Sequence, residues 1–322
     1  MPSPPYRSGS ALHVQPWVVM SESQLAGPRF MWDYSPAAVF FNSSKKYQIM
    51  KYAICNETFG DWPLERALGY AREVGYSGWE VAPFMLTDDV CSFSAGDRDA
   101  YRKQVEAAGF EVTGLHWLLA KTEGLHLTTM DGDVRKRTAS YISDLARLCH
   151  DLGGKVMVLG SPQQRNVPEG QSMESAMANA ADVIRAAVPV LEELQVQIAL
   201  EPLGHEEGNF LLTAAKAREL QGMIDSEQVK LHLDVKAMSD EETPVQQIIR
   251  DNADAMIHFH ANDPNRQGPG MGDVDFVPIF QALQDIGYAD WVSVEVFDYN
   301  PGVERLVTES MENMQKARAS CS

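Results

Sequence analysis

Ile198-Ala199-Leu200-Glu201 is a short apolar run that ends on a carboxylate, and the chain repeats the arrangement three more times. The later copies are Leu231-His232-Leu233-Asp234, Met256-Ile257-His258-Phe259-His260 and Trp291-Val292-Ser293-Val294-Glu295. From Glu201 to Asp234, His260 and Glu295 the steps are 33, 26 and 35 residues, each about one strand plus one helix. Three carboxylates and one imidazole carried on successive strand ends converge only if the strands run parallel around a common centre. That geometry is a (β/α)8 TIM barrel, with a divalent cation expected at its C-terminal mouth.

The rest of the chain keeps the same period. Strand candidates are Met50–Cys55, Gly78–Ala82, Glu111–His116, Lys155–Gly160, Val196–Glu201, Lys230–Asp234, Met256–His260 and Trp291–Glu295. Helix candidates lie between and after them: Pro63–Val74, Arg98–Ala108, Asp133–Leu152, Met173–Leu194, Thr213–Ile224, Pro244–Asp251, Phe276–Ile286 and Val303–Ala319. Leu145, Leu148, Cys149 and Leu152 illustrate the helical spacing. Gly75, Gly109, Gly153 and Gly287 follow helices, as C-terminal capping prefers. No G-x-G-x-x-G follows the first strand, so a dinucleotide fold has no support. This predicts an α/β single-domain barrel over residues 50–322. The longer loops 83–97, 118–132, 161–172, 202–212 and 261–275 then all lie on the mouth side.

Residues 1–49 read differently. They are rich in proline and serine, carry a net charge of +2 and leave −20 for the remainder. They are expected to be an N-terminal extension, flexible or outside the native chain, with Met50 as the true start. The apolar run Val14–Met20 is too short for a secretory signal.

The full chain of 322 residues has a formal charge of −18, which argues against a phosphate-backbone binder. No apolar run is long enough to span a bilayer, so no membrane association is expected. Four scattered cysteines form no CxxC pair. The plain reading is a reducing, cytoplasmic compartment. Cys55, Cys91 and Cys149 read as core or helix residues.

Strand alternation points the last residue of each run into the mouth. Glu201, Asp234 and Glu295 are hard oxygen donors, and His260 adds one nitrogen. One divalent cation fits the set, Mn²⁺ first, with Mg²⁺ or Co²⁺ possible alternatives. Without it the carboxylates would repel one another. Taken singly, each is more simply a solvated or capping charge; their recurrence favours a metal site. His232 and His258 stand two residues before proposed ligands and read as packed, hydrogen-bonded histidines. Glu80 reads as an interior hydrogen-bonding carboxylate. His116 ends the third strand facing the mouth, either as a substrate contact or proton relay or as a packed histidine. Trp62, Phe84 and Trp117 are candidates for an apolar wall, although simple core is the commoner role for aromatics.

At these residues the sequence resembles the xylose isomerase-like barrel superfamily over roughly residues 50–319. It is most similar to the sugar isomerase/epimerase branch, with tagatose/psicose 3-epimerases, hydroxypyruvate isomerase and inosose dehydratase. The resemblance implies that Glu201, Asp234, His260 and Glu295 hold the metal, and that Glu201 and Glu295 also act as acid and base. It implies substrate contacts at Glu207, six residues after the first ligand, and at Arg266, six after the histidine. Pro269-Gly270-Met271-Gly272-Asp273-Val274-Asp275-Phe276 resembles a family turn. One departure stands out: where the epimerases carry a histidine three residues after the aspartate ligand, this chain has Ala237. Lys236 is the neighbouring candidate for that substrate contact.

The implied activity is divalent-metal-dependent isomerisation or epimerisation of a monosaccharide or sugar derivative through an enediolate. The alternative is a metal-dependent lyase or dehydratase acting on a keto-sugar, keto-inositol or 3-keto-glycoside. An apurinic endonuclease would need more histidines and a less acidic face. A non-catalytic sugar-binding barrel would bind without proton exchange. The expected partner is a small-molecule sugar, with a possible homo-oligomer and no nucleic acid or membrane.

Overall fold

The computed structural model describes residues 50–322; the expectation for residues 1–49 lies outside the described residues. Eight strands close into a barrel in chain order. They are β1 (Lys51–Cys55), β2 (Gly78–Val81), β3 (Glu111–Leu115), β4 (Val156–Leu159), β5 (Gln197–Leu200), β6 (Val229–Asp234), β7 (Met256–Ala261) and β8 (Trp291–Val294). Every neighbouring pair is parallel, and β8 returns to β1.

The helices are α1 (Leu64–Val74), α2 (Ala95–Ala107), α3 (Gly132–Asp151), α4 (Met173–Leu194), α5 (Ala214–Ile224), α6 (Val235–Met238), α7 (Val245–Asp251), α8 (Phe276–Asp285) and α9 (Val303–Ala319). Their ends follow local chemistry. Ser94, Asp131, Ser172, Thr213 and Asp275 each accept backbone N–H groups of the first turn. Ser94 and Asp97 form a reciprocal capping box, so α2 begins at Ala95, earlier than the Arg98 expected from hydrophobic spacing. Gly75 ends α1 at φ 116°, where a side chain would be strained.

The strands point Ile54, Leu231, Leu233, Phe259, Val292 and Val294 outward, where the helices bury them. The inward positions hold much polar chemistry. Glu80, His232, His258 and Ser293 are all buried inside the cylinder. Buried polar groups need partners, and the pairing of these groups shapes the mouth above them.

Three short elements are absent from the sequence expectation. Single 3₁₀ turns occupy Asn56–Phe59 and Pro83–Met85, and α6 follows β6 directly. Each is about one turn long, too short to show a period. Cys55 and Cys149 are buried as expected, but Cys91 is exposed in a turn, its Sγ 3.4 Å from Asp144 Oδ2. No helix among the described residues is long and apolar enough to cross a membrane.

Candidate metal and active site

Glu201, Asp234, His260 and Glu295 all come to the C-terminal mouth and all are buried. Asp234 and His260 are cross-strand partners in the β6–β7 register. One donor atom each from Glu201, Asp234, His260 and His232 lie within 4.8 Å of one another. Glu295 joins through the imidazole: His260 Nδ1 is 2.9 Å from Glu295 Oε2. Glu295 also clusters with Glu57 and His116 on its other side.

Each side chain is aimed by a named neighbour. Asp234 caps α6, its Oδ1 accepting the Ala237 N–H at 2.9 Å and its Oδ2 accepting Asn262 Nδ2 at 2.5 Å. The same Asn262 accepts the Lys236 N–H at 2.8 Å, so it ties the start of α6 to β7. His260 Nε2 donates to Glu80 Oε1 at 3.0 Å, and Glu80 Oε2 accepts from His258 Nε2 at 2.8 Å. Behind Glu201, the buried Arg165 donates through Nη1 to the carbonyls of Leu159 (3.1 Å) and Glu201 (2.7 Å), pinning the ends of β4 and β5. A Cβ at Gly160 would overlap the Glu201 carboxylate, so the end of β4 must be bare for that side chain to lie there.

The carboxylates crowd one another. Burial, then Glu295 and Asp234, push the Glu201 carboxyl well above the usual range against the pull of His260 and Arg165. Burial also raises Asp234, partly offset by Lys236. Burial would raise Glu295 too, but His260 outweighs it and holds this carboxyl low. For His260, burial is overcome by Glu80 and Glu295, and its proton is held above the ordinary range. The crowded carboxylates therefore favour either a proton on Glu201 or a further cation among them.

His232 differs from the sequence expectation. It is fully buried, as expected, yet among the described residues neither ring nitrogen has a hydrogen-bond partner. Its nearest acid is Glu201, with Nε2 3.8 Å from Oε1, beyond hydrogen-bonding range. Both oxygens of Glu80 are turned to His258 and His260 rather than to this ring. An unpaired buried polar group of this kind costs about 1–3 kcal/mol. The orphaned nitrogen and the crowded carboxylates both fit a divalent cation among these side chains.

Of the remaining expected residues, His116 and Glu207 line a narrow cleft with Glu201 and Glu295, walled also by Trp117 and Phe297. His116 Nε2 is 2.9 Å from Glu57 Oε2, so this histidine is both packed and at the cleft. Lys236 Nζ reaches Glu207 Oε2 at 2.5 Å and lies 4.9 Å from the Phe297 ring centroid. Burial would lower the Lys236 ammonium, but Asp234 and Glu207 raise it. Lys236 thus supplies a cation beside Ala237, and it is committed to Glu207. Arg266 is exposed at φ 70°, with its carbonyl accepting the Phe297 and Asp298 N–H groups at 2.8 Å each. Among the described residues its guanidinium has no ion-pair partner.

Trp117 and Phe84 line an adjoining cavity of about 430 Å³, with Lys121 and Tyr299. Trp62 instead packs against Phe59 and Tyr70. Sequence reasoning missed Glu57, Arg165 and Asn262. Asn262 continues the inward alternation of β7 two residues beyond His260 and was findable on that ground. Glu57 in a 3₁₀ turn and Arg165 in a loop obey no period.

A family model described as "Xylose isomerase-like TIM barrel" matches residues 68–317. The chain belongs to the xylose isomerase-like TIM barrel family. Among relatives in this family, L-ribulose 3-epimerase of Mesorhizobium japonicum is 30% identical over 241 residues, covering 73% of this chain and 75% of that protein. A probable ketose 3-epimerase of Synechocystis is 26% identical over 71% of this chain and 77% of its own length. D-psicose 3-epimerase from Clostridium cellulolyticum H10, solved with D-tagatose, superposes with a TM-score of 0.74 at 20% identity, covering 84% of this chain and 99% of that one. The last comparison speaks to the fold.

Proposed function

We propose that the protein is a divalent-metal-dependent epimerase or isomerase of a sugar or sugar derivative. Glu201, Asp234, His260 and Glu295 would hold the ion, with Mn²⁺ the best match for three carboxylates and an imidazole. The observation that carries the reading is the meeting of Glu201 and Glu295 on one cleft beside the Glu201, Asp234 and His260 donor cluster. A bound divalent cation would act as a Lewis acid, making the C–H beside a sugar carbonyl acidic and stabilising negative charge on oxygen.

The chain's own groups supply the proton transfers. Glu295, kept ionised by His260, is suited to take the proton from carbon. Glu201, on the other side of the cleft, is placed to return a proton from the opposite face. Return to the same carbon from the opposite face inverts that centre; return to the neighbouring carbon moves the carbonyl. Glu207 and Lys236 form a polar pair for hydroxyl groups near the reacting carbons. Arg266, with no ion-pair partner among the described residues, would meet an outer hydroxyl or an oxyanion of the substrate. Glu80, Asn262 and Arg165 hold His260, Asp234 and the Glu201 backbone in place.

The Lys236–Glu207 pair also favours a second reading. Its ammonium, donating a proton to a departing β-hydroxyl, would turn the same carbanion chemistry into an elimination. Incubating the Mn²⁺-loaded protein with a panel of ketoses, aldoses and keto-glycosides in D₂O tests both. Deuterium at a carbon beside the carbonyl in a sugar of unchanged composition supports epimerisation or isomerisation. A dehydrated or deglycosylated product supports elimination, and absence of exchange across the panel refutes the enediolate chemistry for those sugars.

A further inference from the structure

The cluster around Glu201 contains one donor that the four-ligand reading leaves idle. His116 and His258 each place a ring nitrogen on a carboxylate, and His260 places both. His232 places neither, although it is wholly enclosed and shares a cluster with Glu201, Asp234 and His260 whose donor atoms are all within 4.8 Å of one another. Its Nε2 is 3.8 Å from Glu201 Oε1. Two atoms each about 2.1 Å from a common ion stand roughly 3–4 Å apart, so this separation is that of co-ligands rather than of a donor and its acceptor.

Strand geometry explains the access. His232 lies two residues before Asp234 on β6, on the same inward face and one layer deeper. Its ring lies edge-on to that of His260, with centroids 4.2 Å apart. Glu80 below is already taken by His258 and His260, so the unclaimed nitrogen nearest an acid faces Glu201.

We propose that in the substrate-free protein His232 Nε2 is a fifth protein ligand to the cation held by Glu201, Asp234, His260 and Glu295. This rests on the metal site proposed above and extends it. A set of two imidazoles and three carboxylates disfavours Mg²⁺, which takes oxygen donors, and favours Mn²⁺, Co²⁺ or Zn²⁺. On a six-coordinate ion it leaves one open position. A sugar that offers both a carbonyl and a hydroxyl oxygen would therefore displace His232.

The test uses the full-length protein, stripped with a chelator and reloaded with Mn²⁺ without sugar. Pulsed EPR then counts the imidazole nitrogens coupled to the ion. Two are expected in the wild type and one in His232→Gln, with Mn²⁺ affinity weakened by at least the roughly tenfold that loss of an outer-shell partner costs. One nitrogen in the wild type, or two retained in His232→Gln, overturns the proposal while leaving the four-ligand site standing. If His232→Gln fails to fold, His258→Gln decides the identity of the second nitrogen: two retained supports His232, and one remaining overturns it. Failure of the wild type to take up Mn²⁺ removes the four-ligand site and this proposal with it.

Discussion

Glu80 Oε1 accepts a hydrogen bond from His260 Nε2 at 3.0 Å, so a carboxylate from the second strand orients an imidazole from the seventh. The other ring nitrogen is thereby turned toward Glu295, 2.9 Å away. A carboxylate behind a histidine ligand fixes its tautomer and raises its basicity.

Glu80→Gln should therefore weaken divalent-cation binding by roughly 10- to 100-fold while the barrel stays folded. Calorimetric titration of the chelator-stripped variant measures the affinity, and circular dichroism checks the fold. Wild-type affinity would show that Glu80 serves only the interior packing of His258.

Replacing Glu295 with Gln should abolish solvent deuterium exchange into substrate. General acid–base groups contribute typically 10²- to 10⁴-fold, and Glu295 is the carboxylate its surroundings keep ionised. Glu201→Gln should cost a similar factor. Full exchange in either variant, followed by NMR, would remove that residue from the proton transfer.

Gly160→Ala places a methyl group where the Glu201 carboxylate lies. Overpacking of this kind costs about 1–3 kcal/mol, and the flexible partner here is the proposed ligand. Cation affinity should fall more than thermal stability does. Unchanged affinity would mean that Glu201 has room to move aside.

Cation binding should strengthen with rising pH. Glu201 and His260 both hold protons more tightly than in the unfolded chain. For a group raised in this way, the stability it contributes is present at low pH and lost as pH climbs through its folded-state value. A bound cation replaces those protons, so the metal-free protein loses stability over that window more steeply than the loaded protein. The difference in Tm between Mn²⁺-loaded and metal-free protein should widen from acid to neutral pH. A gap that stays constant would contradict proton displacement.

Lys236→Met should raise KM, and its effect on cation affinity should be the smaller of the two. Lys236 contacts Glu207 rather than the inner carboxylates, and removing it leaves Glu207 beside the cleft without its counter-ion. Comparable losses in kcat and in metal binding would place Lys236 inside the metal centre.

The architecture was legible because two periods alternate along the chain. Apolar runs bounded by glycine marked the strands, and spacing of three and four marked the helices. The expected strand ends agree with the observed ones to within a residue or two at Cys55, Asp234 and His260. Element starts were weaker where caps decide them, as Ser94 and Asp97 do for α2. One-turn elements left no periodic trace. The four proposed ligands were legible because alternation fixes which side chain faces inward at a strand end. Glu57, Arg165 and Asn262 became visible only through contacts spanning dozens of residues.

The local pattern of side chains alone determined a ring of parallel strands with acids and imidazoles at one rim. It did so because pleat and helix pitch are properties of the backbone. Only the folded chain decided how those polar groups divide their partners. Glu80 has two oxygens and inward histidines near it on β6 and β7, and packing assigned both oxygens to His258 and His260. Which imidazole is left over depends on strand stagger and ring orientation across the closed barrel, and no spacing along the sequence encodes that.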